Sequence, residues 1–137
     1  MSFSNYLETK VLDHVFGGTS YSAPATLYVG VFTTAASDTG PGTEVSGGSY
    51  ARQSIAMTVS GTSPTQAVNS AVIEFPEATA SWGTITYAGI FDALTGGNML
   101  AWAQITDPID LVTPLPKTIT TGDILRVAAG NIKVTLD

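Results

Sequence analysis

Few residues of this chain are of types that do chemistry, and the carboxylates are the first of them. Acidic side chains occur as two close pairs, Glu74 with Glu77 and Asp107 with Asp110. A glycoside hydrolase needs two such groups facing each other about 5 to 9 Å apart across a sugar cleft. Both pairs lie beside a proline at the edge of a predicted strand or loop, where acids are normally solvated. The spacing therefore predicts no catalytic pair.

Metal and cofactor sites also find little support in the residue types. His14 is the only histidine and the chain has no cysteine, which removes the usual zinc ligands and a thiol nucleophile. The loop from Asp92 to Asn98 lacks the dense alternation of acids found in an EF-hand, and the glycines of residues 40–48 match no phosphate-binding motif. His14 is better explained by a helix dipole or an interface. We expect no enzymatic activity and no catalytic, cofactor-binding or metal-binding residue.

Two tryptophans and two arginines remain as side chains that could recognise a partner. Trp82 and Trp102 could stack on a carbohydrate, but large aromatic residues of sheet proteins usually fill the core or a subunit interface. Arg52 and Arg126 are the only arginines in a chain with 11 acids. Each is therefore expected to pair with a carboxylate, within the chain or across subunits. All four are candidate core or interface anchors.

The composition limits the classes of function further. The 137 residues fit one domain, and only 12% of them are charged, so Thr, Ser and Gly must cover much of a surface that suits burial against partners. The net charge is −6 and the five basic residues are scattered, which argues against nucleic-acid binding. No apolar stretch approaches the roughly 20 residues of a membrane span. The N-terminus also lacks the pattern of a signal peptide.

One amphipathic helix is predicted at the N-terminus. Within residues 3 to 16, apolar residues recur at four-residue steps, at Phe3, Leu7, Val11 and Val15. This is the period of one helix face. Ser2 or Ser4 can cap its start, and Gly17-Gly18 offers the positive-φ residue that ends it. We expect the apolar stripe to dock on a sheet or on a neighbouring subunit.

The rest of the chain has the period of two that indicates β-strands. Strands are predicted over residues 27–32 and through residues 55–59, 71–75 and 82–92. The glycines at 96–97 predict a hairpin between residues 82–93 and 99–105, and Gly130-Asn131 predicts a second between 124–129 and 132–136. Residues 34–49 and the proline-interrupted residues 107–116 are predicted to be loops.

Short alternating strands at near-regular spacing predict the fold class. They indicate an all-β protein, an antiparallel β-sandwich or jelly roll with one N-terminal α-helix. A single domain over residues 1–137 is expected, with a helical arm in residues 1–18 and the sandwich in residues 24–137.

Two long segments carry a resemblance to a known family. They are SFSNYLETKVLDHVFGGTSYSAPATLYVGVFTTAASDTGPGTEVSGGSYARQ and NSAVIEFPEATASWGTITYAGIFDALTGGNMLAWAQI. With them the chain resembles, over nearly its whole length, a family of small tailed-bacteriophage virion proteins that are often named tail fibre proteins. The resemblance implies a β-rich protein that forms a homo-oligomer on the particle. The chain also resembles proteins that serve as trimeric capsid cement at the junctions between capsomers.

The expected function is that of a virion structural protein, with capsid cement favoured. A homotrimer would stabilise the shell by binding itself and the major capsid protein or other virion proteins. The composition agrees, because a compact domain without heptads or fibrous repeats is unlike a fibre shaft. The alternative is a tail fibre or head fibre component that binds a host glycan through exposed Trp or Tyr residues. The expected location is the particle surface, on the capsid rather than the tail.

Overall fold

Short strands, rather than helices, make up most of the regular secondary structure of the described residues, as the period of two predicts. The computed structural model describes residues 1–107, 109–110 and 112–136. In that part of the chain there is one helix, α1 (Asn5–Val15). The strands are β1 (Ser2–Phe3), β2 (Leu27–Phe32), β3 (Gln53–Ile55), β4 (Met57–Ser60), β5 (Thr65–Asn69), β6 (Ile73–Glu74), β7 (Gly83–Ile85), β8 (Tyr87–Phe91), β9 (Met99–Gln104), β10 (Lys117–Ile119), β11 (Arg126–Val127) and β12 (Lys133–Leu136). The prediction of an all-β fold with one N-terminal helix is confirmed.

The main sheet is antiparallel throughout and has the strand order β1-β9-β8-β2-β3. Its centre contains the predicted first hairpin, in which β8 pairs with β9. Gly96 and Gly97 both have positive φ in the turn, and the Asp92 carboxylate accepts a hydrogen bond from the Asn98 amide at 2.7 Å. The hairpin prediction is confirmed, although its first strand begins at Tyr87 rather than at residue 82.

Both faces of the main sheet are buried, because successive side chains of a strand point to opposite faces. On β2, Val29 and Val31 belong to the larger core cluster, whereas Phe32 belongs to a smaller one with Phe91 and Met99. The rings of Phe32 and Phe91 meet edge to face with centroids 5.9 Å apart, a favourable geometry for aromatic pairs. The two faces predicted for residues 27–32 are therefore both core faces.

Three smaller sheets enclose the larger core cluster. They are the three-stranded sheet β12-β5-β4 and the two-stranded sheets β10-β7 and β11-β6. Ile73, Ile85, Ile119 and Ile132 bring their apolar side chains into the same cluster as β2. Burying one apolar face of each sheet against the others is what stabilises a layered β protein.

The second predicted hairpin is wrong. β12 pairs with β5, and β11 pairs with β6, so the two segments flanking Gly130 belong to different sheets. The buried side chain of Asn69 explains the divergence: its Nδ2 donates to the carbonyl oxygens of Ala71 and Ala128, and its Oδ1 accepts from the Ile132 amide at 2.8 Å. These bonds hold the Gly130 turn against β5 instead of letting it close on itself.

The N-terminal helix is shorter than the predicted 3 to 16. It begins after Ser4, whose hydroxyl caps it by accepting from the Leu7 amide at 3.3 Å, and Ser2 has no part in the cap. Phe3 lies instead in β1, which pairs with β9 through Ser2↔Trp102 and Phe3↔Ala101. Gly18 has the positive φ expected just beyond the helix end. In the described part of the chain no helix has the length and apolarity to span a membrane.

The predicted loop 34–49 is fixed to the sheet at several points. The Thr33 amide donates to the Thr43 carbonyl at 2.9 Å, and the Val45 amide donates to the Val31 carbonyl at 3.1 Å. Ala36 and Val45 are buried, so this loop contributes to the core. Of the loop predicted for residues 107–116, residues 108 and 111 lie outside the described residues.

Candidate assembly surfaces

The buried arginine is the centre of an internal polar network. Arg52 is only 8% exposed, and its Nε and one terminal nitrogen donate to the two carboxylate oxygens of Glu44, each at 2.8 Å. The other terminal nitrogen donates to the carbonyl oxygens of Ala93 and Gly96, both at 2.8 Å. The guanidinium also lies over the Phe91 ring, 3.5 Å from its centroid. Arg52 thus joins the 34–52 segment to the β8–β9 turn within one chain.

Tyr50 extends this network into the sheet. Its hydroxyl donates to the Glu44 carboxylate at 2.8 Å and accepts from the Val31 amide at 3.1 Å. Its ring stacks near Phe75 and meets Trp82 edge to face. Burial is the main reason that the pKa of Tyr50 is raised well above its ordinary value, and the neighbouring Glu44 carboxylate adds to the rise. The hydroxyl is therefore a fixed structural donor.

A shallow groove of about 370 Å³ lies beside this network, lined by Glu44, Tyr50, Arg52 and Leu94 among others. A ligand in it would meet polar groups that already have partners, because the Arg52 guanidinium and the Glu44 carboxylate bond to each other. Buried polar groups satisfied in this way chiefly fix local structure. The groove thus offers a ligand little unpaired hydrogen-bonding capacity at these two residues.

The second arginine forms an exposed pair. Arg126 on β11 donates to the Glu74 carboxylate on β6 at 2.5 Å and 2.9 Å, and both side chains are more than half exposed. The two residues are directly opposite in the strand register, where opposite charges attract. The expected pairing with a carboxylate thus occurs within the chain for both arginines, and Glu74 serves as a cross-strand partner.

The two tryptophans differ in their surroundings. Trp82 is 4% exposed and lies in the larger core cluster, where its Nε1 donates to the Gly48 carbonyl at 2.9 Å. Trp102 is only partly buried; its Nε1 donates to the Asp38 carboxylate at 2.9 Å, and its ring lies 6.0 Å from that of Tyr87. Trp82 is therefore a core anchor, whereas Trp102 and Tyr87 form an aromatic pair that solvent reaches.

The apolar stripe of the helix is buried only at its N-terminal end. Leu7 and Val11 are partly buried, as is Phe3 on β1, and α1 contacts β9 and β1. Val15 is 61% exposed, and the neighbouring Phe16 is 82% exposed. The predicted docking of the stripe on a sheet is therefore incomplete, because the side chains at the C-terminal end of α1 stay exposed. Leu12, Val15 and Phe16 form an exposed apolar helix end.

The Asp107 and Asp110 carboxylates take part in loop structure. The Asp107 carboxylate accepts from the Ile109 amide at 2.8 Å. The Asp110 carboxylate accepts from the Thr113 hydroxyl and from the amides of Val112 and Thr113, and these bonds, the hydroxyl first, lower the pKa of Asp110. Among the described residues, no group of three or more His, Cys, Asp or Glu side chains is placed to hold a metal ion.

The three-stranded sheet extends past the core and offers a surface that the sequence did not reveal. Val59 on β4, Ala67 on β5 and Val134 on β12 lie opposite one another and so share one face. Met57 and Val134 on that face pack against the core. Further along, Val59 is 71% exposed and Leu136 is 55% exposed. The apolar face therefore continues beyond the residues that cover it.

The signal for this surface was weak in the sequence. β5, which holds the three strands together, follows Pro64 and contains only Ala67 and Val68 as apolar residues. β5 forms a strand because it pairs with β4 and β12, and a local sequence pattern does not encode such pairing.

Comparison with known proteins places this β domain among phage proteins. A family model described as podophage GP4 fiber I protein gp80 matches residues 2–135. No curated protein shows significant similarity to the chain. The residues matched include the helix and strands of the main sheet and of the three smaller sheets. The chain therefore belongs to the podophage GP4 fiber I protein gp80 family and is a structural protein of the bacteriophage virion.

Proposed function

We propose that the protein is a non-enzymatic, self-associating subunit of a podophage fibre. The observation that supports this most strongly is the family match, which extends over residues 2–135 and carries the description of a fibre protein. A fibre built from such a chain would use the β domain as its repeating unit, because the domain lacks the heptads of a coiled-coil shaft.

Surface chemistry supports assembly through contact area. Exposed apolar side chains include Leu12, Val15 and Phe16 at the helix end, Val59 and Leu136 on the three-stranded sheet, and Ile109 and Val112 in the loop 107–116. Burying such side chains contributes about 25 cal/mol per Å² of apolar surface before association costs are subtracted. The same surfaces are proposed to meet other copies or other virion proteins, and neither nucleic acid nor a membrane is proposed as a partner.

Host recognition is a further part of the fibre proposal. Tyr87 and Trp102 form a solvent-reached aromatic pair beside the Asp38 carboxylate, and aromatic faces next to hydrogen-bonding acids suit carbohydrate rings. Replacing Trp102 with Ala should abolish binding of the purified protein to host surface glycan, whereas Trp82 is buried and has no direct part in this role. Unchanged glycan binding by the Trp102 variant would contradict this part of the proposal.

Capsid cement is the second candidate. It is favoured by the small size and layered form of the domain, which suit a protein seated over a capsomer seam in a trimer. A cement protein would be present in hundreds of copies per virion and a fibre subunit in a few or a few tens. Removing a cement protein should also lower the temperature at which the genome is released, because the shell resists internal pressure less well.

Counting copies per particle tests the proposal. Quantitative mass spectrometry of purified virions, normalised to the major capsid protein, should give a few to a few tens of copies for the fibre role. Immunogold labelling should place the protein on fibres. Several hundred copies over the shell would replace the fibre role by cement, and absence from purified particles would overturn both.

The absence of enzymatic activity is tested by assay. Purified protein should release no sugar from host cell-wall or capsule preparations, and Glu74→Gln and Asp107→Asn variants should behave like the parent. Turnover that disappears in either variant would establish a hydrolase instead.

A further inference from the structure

We infer that β4 pairs edge to edge with β4 of a second copy of this chain, antiparallel, about a twofold axis at Thr58. The surface concerned is the side of β4 that faces away from β5, called the β4 edge. In the described part of the chain no strand lies on that side, since β4 is the outer strand of the β12-β5-β4 sheet. This inference deepens the proposed function and rests on it, because it names a surface through which self-association occurs.

The hydrogen-bond pattern identifies which backbone groups the β4 edge presents. The Ser70 amide donates to the Ala56 carbonyl at 3.0 Å, one step beyond the registered pair Met57↔Asn69. Hydrogen-bonded and non-hydrogen-bonded pairs alternate in an antiparallel ladder, so Thr58 and Ser60 bond to β5. The N–H and C=O groups of Met57 and Val59 consequently point away from β5.

The pairing of β5 with β12 gives the same alternation of hydrogen-bonded and non-hydrogen-bonded residues. The Asn69 amide donates to the Ile132 carbonyl at 3.2 Å, and Val134 lies opposite Ala67 in the same register. Residues 65, 67 and 69 of β5 thus face β12, and residues 66, 68 and 70 face β4. The two ladders fix the same alternation independently.

The backbone N–H and C=O groups that β4 directs away from β5 can pair with the same groups of a second copy. With Thr58 opposite Thr58 of the second copy, Met57 of each chain lies opposite Val59 of the other, and both residues have outward N–H and C=O groups. The pairing forms four backbone hydrogen bonds and a continuous six-stranded sheet. Each exposed Val59 side chain then lies beside Met57 of the second copy, which extends the apolar face over the axis.

The charge distribution favours this edge of the three-stranded sheet over the opposite edge at β12. The segment from Gln53 to Gln66 has no charged residue, so two copies meet there without repulsion despite a net charge of −6 on each. Natural sheet edges are usually protected by charges, prolines or covering segments. β4 itself contains neither a charged residue nor a proline. By contrast, β12 carries Lys133, whose carbonyl already accepts a hydrogen bond from the N-terminal amine at 2.7 Å.

A short strand pair lies at the weak end of specific interfaces. We therefore expect a concentration-dependent dimer of the free protein, which is strengthened on a particle where copies are held close together. Trapping the dimer with an engineered disulfide is a suitable test. The chain has no cysteine of its own, so only the introduced cysteines can form the disulfide.

The test uses two single-cysteine variants, Thr58→Cys and Ser60→Cys, at exposed positions of the same strand face. In the inferred register, the two residues 58 lie opposite each other in a non-hydrogen-bonded pair about 4.5 Å apart between Cα atoms, within the range of a disulfide. The two residues 60 are displaced by four positions, about 13 Å along the strands. On mild oxidation, Thr58→Cys should form a disulfide-linked dimer and Ser60→Cys should not.

A second pair of variants separates this edge from the helix end. Val59→Lys should weaken dimerisation at least tenfold by sedimentation equilibrium, because it places two ammonium groups in the new sheet, whereas Val15→Lys, which changes the net charge equally but lies away from the edge, should not weaken it. Circular dichroism should show that all four variants remain folded. Equal cross-linking of both cysteine variants, or of neither, would overturn the inference, as would dimerisation that responds to Val15→Lys alone. Those outcomes leave the fibre role intact, since only the copy count on particles decides that role.

Discussion

The buried Arg52 and the exposed Arg126 should contribute differently to the free energy of unfolding. Arg52→Ala removes two of the donors to the partly buried Glu44 carboxylate, which keeps the Tyr50 hydroxyl, and the side-chain donors to the Ala93 and Gly96 carbonyls. It should lower the free energy of unfolding by about 3 kcal/mol. Arg126→Ala removes an exposed pair and should cost less than about 1 kcal/mol. Urea denaturation of both variants provides the measurement. Similar losses for the two variants would contradict the structural role of Arg52.

Tyr50 gives stability a dependence on alkaline pH. Its pKa is raised in the folded protein, mainly by burial, from an ordinary value of 10.0. The unfolded chain therefore loses the Tyr50 proton first, and stability falls as the pH rises above about 10. Tyr50→Phe should be less stable at neutral pH, because the Val31 amide and the Glu44 carboxylate lose a partner, but its stability should decline less above pH 10. Thermal midpoints from pH 8 to 11 test this, and parallel declines would refute it.

At the residue scale the sequence predicted which partners the side chains take better than whether those side chains are buried or exposed. Pairing of both arginines with carboxylates follows from two arginines among 11 acids and occurs within the chain. The burial of Arg52 and the exposure of Arg126 could not be predicted in this way. The difference depends on long-range packing of the 34–52 segment against the β8–β9 turn, which the spacing of residues in the sequence does not encode. The same holds for Trp82 in the core and Trp102 near the surface.

The β8–β9 hairpin depends on its two turn glycines unequally. Both have positive φ, but a Cβ at Gly97 would lie 2.4 Å from the Asp92 carboxylate, whereas Gly96 has nothing within 4 Å. Gly96→Ala should cost about 1 kcal/mol for the left-handed conformation alone, and Gly97→Ala about 2 kcal/mol or more because Asp92 must also move and its bonds to Asn98 are disturbed. Guanidinium denaturation measures the difference. Equal costs would mean that the turn rearranges.

At the element scale, the period of two predicted the longer strands of the main sheet but not β1, β5 or β10, and pairing followed only where a tight turn joined the partners. The 96–97 glycines connect consecutive strands, so the first hairpin was predictable. Gly130-Asn131 has the same local signature, yet the buried Asn69 side chain bonds to both sides of that turn and assigns the flanking strands to separate sheets. The Asn69 side chain lies 63 positions from the Ile132 amide that donates to it, a separation that local patterns cannot detect.

At the scale of the whole molecule, the alternating pattern predicted the fold class because a chain of short alternating segments can bury its apolar residues only by stacking sheets. It did not predict the assembly surfaces. Val15 and Phe16 at the helix end and Val59 on the three-stranded sheet are apolar side chains that the neighbouring elements leave exposed. Such features depend on the relative lengths of packed elements rather than on any one element.

Net charge should make self-association respond to salt. Each copy carries a charge of −6, while the inferred β4 contact is uncharged, so repulsion between copies opposes association without any attraction between ions to offset it. Raising the ionic strength from about 0.01 M to 0.15 M shortens the screening length from about 30 Å to 8 Å and should tighten the dimer on the order of tenfold. Sedimentation equilibrium across this range tests the sign.

The Glu77→Gln variant provides the control for this dependence. It removes one exposed negative charge, and because repulsion scales with the square of the net charge, it should reduce the salt response in free energy by about a third. Association that weakens as salt is added would contradict the uncharged contact, since it would mean that ion pairs between copies hold the assembly together. Binding to nucleic acid would give that same opposite sign through counterion release, so the direction of the salt effect separates apolar edge pairing from both alternatives.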